Sequence, residues 1–164
     1  FQKTLGSSKS LGLSKSLLVQ RGCFFKNNLV VQNMVSQKQK NILKPLVKNI
    51  EELSNNVTEW FIKMYPLRKK FPRIVISDES SDFAGTFTYY NNTITLFTDN
   101  VSDFEGIVEI TLHELVHWRE ITSHFKDQLY DKQLKEYGYE NHPQEIWCRA
   151  VAAELTKHYI KQKI

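Results

Sequence analysis

The stretch SDFEGIVEITLHELVHWRE, residues 102–120, constrains this chain more than any other. Ile107, Val108, Ile110, Leu112, Leu115 and Val116 recur at helical spacing and give one helix a wide apolar surface. Such a helix cannot lie on a surface with one face wet; it must be covered from more than one side. Its start is also written in the sequence. Ser102 stands where a cap is needed and Glu105 follows three residues later, the pattern of a capping box.

The flanking segments supply what could cover it. Residues 46–64, LVKNIEELSNNVTEWFIKM, carry one apolar stripe of Leu46, Ile50, Leu53, Val57, Trp60/Phe61 and Met64, and so predict a helix. Pro45 suits its first turn and Pro66 stops it. RIVIS at 73–77 predicts a short strand, and GTFTYYNNTITLFT at 85–98 a hairpin turning at Asn91-Asn92, residues that tolerate positive φ. A short helix is expected around 127–136, with Gly138 and Asn141 as breakers. A last helix is expected over 142–163, with Pro143 in its first turn. Trp118 and Trp147 are expected in the core, and Cys148 as a small buried residue. The fold class that follows is α+β: helix, short mostly antiparallel sheet, helix, helix.

Charge divides the chain in two. Residues 1–50 carry eight Lys, one Arg and no acid, whereas residues 51–164 carry 13 basic and 18 acidic residues. Together with the Ser-, Gly- and Lys-rich run GSSKSLGLSKS, this predicts a basic extended arm or processed leader remnant over residues 1–40, ahead of a folded domain over 41–164. An acid-free arm suits a nucleic acid or a larger protein assembly as partner. The chain starts at Phe1 rather than Met, which predicts a fragment, a processed product or part of a longer chain. No apolar run approaches the roughly 18 residues needed to span a bilayer. Cys23 and Cys148 lie far apart, without a disulfide framework, which suits a reducing, intracellular setting.

Inside the constraining helix lies HELVH, His113 to His117. Residues four apart share a helix face, so both imidazoles can be aimed at one ion. Glu114 lies about 100° further round. It is poorly placed as a ligand to that ion, but it can take a proton from a water bound there. At this chain's residue frequencies the pattern arises by chance in roughly one chain in a hundred. The alternative is two partly exposed histidines on an ordinary amphipathic helix. Because the neighbours are apolar, the histidines would be polar inclusions that need partners, and a metal is one.

A catalytic zinc needs a third protein ligand. The candidates are His124, His142, Glu145 and Glu154. A metzincin arrangement fails, because Ser123 and Glu120 stand where its third histidine and its glycine belong. Glu145 has the best case, since it opens a helix whose Ala150, Ala152 and Ala153 permit close packing; His142 remains its alternative. A strand beside the HELVH helix could also receive an extended peptide by edge pairing.

HELVH, followed 28 residues after its second histidine by EIWCRAVAAEL, resembles the gluzincin arrangement of zinc metallopeptidases. It resembles most the minimal zincin-like domains encoded by phages and mobile elements. The resemblance spans roughly residues 46–162 in element order. It implies a small zincin-like fold and bound zinc. It also implies His113, His117 and Glu145 as ligands, Glu114 as general base, and a peptide or protein substrate. Arg149, one turn after Glu145, is a candidate to pair with Glu145 or Glu114, and Tyr137, Tyr139 or His142 to stabilise an oxyanion. The rival expectation is a structural component of a larger assembly, such as a virion or organellar complex, that retains a zincin fold and is anchored by its basic arm.

Overall fold

A computed structural model describes residues 21–22, 50–66, 70–101 and 103–163. Nearly all of the expected arm, the proline at 45, the start of the first predicted helix and the Ser102 cap lie outside these residues. The described elements are β1 (Arg21–Gly22), α1 (Ile50–Met64), β2 (Arg73–Ser77), β3 (Gly85–Thr88), β4 (Thr93–Phe97), α2 (Phe104–Glu120), α3 (His124–Tyr137) and α4 (Pro143–Lys163). The fold is α+β, as the periodicities require.

The sheet runs in the order β1-β3-β4-β2. β3 and β4 form the expected hairpin, with Thr88 opposite Thr93 and Phe87 opposite Ile94. Of the two turn asparagines, Asn92 takes the positive φ, at 53°. The chain reverses between β2 and β3 and again in the hairpin, so β4 runs parallel to β2, with Ile74 opposite Ile94. The outer edge of β3 is taken by the chain itself: Arg21 and Gly22 pair antiparallel with Phe87 and Thr86.

α2 is covered from three directions, by the sheet, by α1 and by α4. Its cap is Asp103, extended in backbone, whose side-chain Oδ1 accepts the Gly106 N–H at 2.8 Å. Leu53, Val57 and Phe61 of α1 and Ala84, Phe87, Ile94 and Leu96 from the sheet region join Ile107, Val108, Ile110, Leu112, Leu115 and Trp118 in one core. α1 and α2 approach through small side chains: Thr111 Oγ1 reaches Ser54 Oγ at 3.4 Å, and each hydroxyl also donates to the carbonyl one turn back. α4 offers α2 the stripe Cys148, Ala152, Leu155 and Tyr159, all buried. That spacing of 4, 3 and 4 turns Trp147 outward, 57% exposed, so only Trp118 of the two expected core tryptophans is in the core. No helix among the described residues is long and apolar enough to cross a membrane.

Candidate metal centre

His113 and His117 sit in the middle of α2, where its apolar surface is covered on all sides, and both are buried. The four-residue spacing brings His113 Nε2 and His117 Nε2 to 3.0 Å. α4 begins opposite them, and Glu145 in its first turn closes the triangle. Glu145 Oε2 lies 3.2 Å from His113 Nε2, and Oε1 lies 3.1 Å from His117 Nε2. Among the described residues these three form the cluster able to hold a metal ion.

The chemistry of the donors fits a cation. His117 Nδ1 lies 3.6 Å from Cys148 Sγ. With the proton on that nitrogen, Nε2 presents its lone pair inward. Two imidazole lone pairs and a carboxylate then meet, and a single inner proton could bridge only one of the three contacts. Glu145 Oε2 is buried and receives no hydrogen bond. Ligand atoms at adjacent corners of a tetrahedron with bonds of about 2.0–2.1 Å stand roughly 3.3–3.4 Å apart, close to the 3.0 Å between the two Nε2 atoms and the 3.2 Å from His113 Nε2 to Glu145 Oε2.

The electrostatics agree. Burial holds His113 below the ordinary imidazole value; His117 and Arg149 push the same way, outweighing the opposite pull of Glu145. Burial alone would raise the Glu145 carboxyl, but its electrostatic and hydrogen-bond contacts with His117 and His113 hold it well below the usual carboxylate range. A neutral His113 and an ionised Glu145 are the protonation states a metal requires.

His142, the alternative third ligand, has another task. It caps α4: its Nδ1 accepts the backbone N–H groups of Gln144 at 3.1 Å and Glu145 at 3.3 Å. Its Nε2–H donates to the Tyr130 carbonyl at 3.1 Å, so both ring nitrogens are engaged. His124 is exposed at the start of α3, beside the Tyr90 hydroxyl at 3.0 Å. Glu154 is exposed and pairs with Lys157 at 2.7 Å. Arg149 reaches neither Glu145 nor Glu114. It donates to the Glu140 carbonyl at 2.8 Å and lies over the Tyr139 ring.

Glu114 is fully buried on α2, against β3. A Cβ on Gly85 would stand 2.7 Å from Ile110 Cγ2, 3.1 Å from Glu114 Cγ and 3.3 Å from Glu114 Oε1. Gly85 is thus what lets the sheet close onto this carboxylate.

Two residues at the centre escaped the sequence reading: Gly85 and Tyr130. Tyr130 is buried on α3, and its hydroxyl donates to Glu145 Oε1. Of the tyrosines expected near the site, Tyr137 is instead exposed. Nothing in the sequence set Tyr130 apart, because the same helix also carries Phe125, Leu129, Leu134 and Tyr137.

Comparison of the chain with protein families, with curated proteins and with solved structures returns no match.

Proposed function

We propose that residues 41–164 form a zinc-dependent, peptidase-like hydrolase of the gluzincin kind, with His113, His117 and Glu145 as the metal ligands. The observation that carries this reading is the convergence of the three donors within 3.0–3.2 Å inside the core. Two histidines and a glutamate are a donor set known for catalytic zinc. Zinc bound there supplies a Lewis acid for a carbonyl oxygen and brings a water's pKa toward neutrality. The chain's own residues do the rest. Glu114, one residue beyond His113, accepts the proton of the attacking water at its carboxylate. Gly85 sets how closely β3 approaches that carboxylate. The substrate belongs to the same proposal: an extended peptide or protein segment pairing with the β3 edge, where it must displace Arg21–Gly22.

The test is Glu114→Gln in the full chain. Zinc content is expected to stay near that of the unmodified protein, while peptide hydrolysis falls by about 10²- to 10⁴-fold. Undiminished hydrolysis by this variant would remove Glu114 from the mechanism.

A second reading has one observation in its favour. His113, Glu114, His117 and Glu145 are all buried, which suits a closed metal site holding a structural component of a larger assembly. On that reading the basic residues 1–50 bind a protein assembly or a nucleic acid. Salt-sensitive binding of the full chain to a polyanion, with zinc present but no hydrolysis, would favour it over the peptidase.

A further inference from the structure

We propose that Tyr130 is a positioning residue that commits Glu145 to gripping the ion through one oxygen, Oε2. The inference rests on the metal reading above and deepens it. Tyr130 is tied at both ends to the start of α4. Its hydroxyl donates to Glu145 Oε1, and its backbone carbonyl accepts the His142 Nε2–H at 3.1 Å. Its ring lies against two histidines, His117 at the carboxylate and His142 at the start of α4. It meets His117 edge-on at 5.8 Å between centroids and lies tilted on His142 at 4.2 Å. It is 1% exposed, so water does not compete for the hydroxyl.

The two carboxylate oxygens are therefore inequivalent. Each oxygen faces an imidazole nitrogen, Oε1 that of His117 at 3.1 Å and Oε2 that of His113 at 3.2 Å, but Oε1 alone also takes the Tyr130 hydroxyl. A carboxylate free to rotate can bind an ion through both oxygens and so fill the position that a water needs. A donor on Oε1 draws one lone pair away from the ion and fixes the plane of the carboxylate. His142 serves the same end from behind, since its cap on the Glu145 N–H sets where α4 begins. Loss of a group that orients a metal ligand typically weakens binding by about 10- to 100-fold.

The experiment compares the full-length chain with Tyr130→Phe, which deletes only the hydroxyl, using zinc and cobalt(II) as probes. Zinc affinity is expected to fall by about 10- to 100-fold. The visible bands of the cobalt-loaded variant are expected to weaken, as the freed carboxylate raises the coordination number. A merely structural role for Tyr130 would lower the metal-free melting temperature yet leave the bands of the loaded fraction unchanged; that result overturns the proposal. So do unchanged affinity and unchanged bands. Infrared spectroscopy of the unmodified chain gives an answer that does not depend on the variant's folding. Zinc should produce the wide carboxylate stretching separation of one-oxygen binding, and a narrow separation refutes the assignment. If the unmodified chain binds neither ion, the metal reading falls and takes this inference with it. If it binds both and Tyr130→Phe matches it, only the role of Tyr130 falls.

Discussion

Glu145→Gln separates the proposed metal-binding role of this residue from its part in the fold. The replacement is nearly isosteric at a fully buried position. Without metal the amide keeps two of the carboxylate's contacts: its oxygen can accept the Tyr130 hydroxyl, and its NH₂ can donate to His113 Nε2 at 3.2 Å. The metal-free melting temperature should therefore move by no more than about 1 kcal/mol of stability. With metal the outcome reverses, because the site loses its one anionic ligand. Zinc at a hundred times its dissociation constant adds about 2.7 kcal/mol to the unmodified protein. For a folded part of this size, at roughly 3–5 °C per kcal/mol, that is a rise of about 8–14 °C. At the same zinc concentration Glu145→Gln should show almost none of it. The assay is thermal unfolding with chelator or with excess zinc, paired with elemental analysis. If zinc leaves the unmodified chain's melting temperature unchanged, or stabilises Glu145→Gln equally, the proposed ligand set is wrong.

Gly85→Ala should cost about 1–3 kcal/mol in denaturant unfolding, because the new methyl overlaps Ile110 and presses on Glu114. An unchanged midpoint would mean that the sheet can retreat without cost. The metal-free protein should lose stability on acidification. The folded-state pKa of His113 lies below its ordinary 6.5, so the unfolded chain binds the proton more readily. The stability from His113 is therefore complete above about pH 6.5 and drains away as pH falls from there through the folded value. Glu145, also depressed, adds to the same trend below its ordinary 4.5. Melting temperatures in chelator from pH 8 to pH 4 should fall steadily, and a flat profile would contradict both shifts. Finally, Gly22→Pro removes an N–H and fixes φ in the strand that covers the β3 edge. It should raise kcat/KM for peptide cleavage severalfold, and an unchanged value would show that the substrate docks elsewhere.

The parts of this molecule legible in its sequence are those governed by neighbours along the chain. Helical periodicity located α2, and the i,i+4 geometry of His113 and His117 follows from helix pitch alone. The hairpin was legible because Asn91-Asn92 interrupts two alternating runs. Even here the local rule was loose by a residue: Asp103, next to the expected cap, carries the observed one. The β2 strand and the breaker Gly138, with its φ of 70°, obey the same short-range logic.

What the chain order could not decide were choices between equivalent local options. Either tryptophan could have faced the core; the packing of α4 on α2 through Cys148, Ala152, Leu155 and Tyr159 buried one and exposed the other. Glu145 and His142 were both within reach as third ligand, since three residues at a helix start can turn either side chain inward. The difference arises because the first N–H groups of α4 need an acceptor and His142 supplies it, leaving the carboxylate to face the histidines. Tyr130 lies fifteen residues before Glu145, and only the packing of α3 over the centre brings its hydroxyl there. The sequence by itself determined the α+β class, the HELVH helix and the pair of imidazoles on one face, because those depend on spacing within single elements. Tertiary structure alone decided which carboxylate joins them, which residue orients it and how deeply the centre is buried, because those depend on three helices and a sheet meeting around one point.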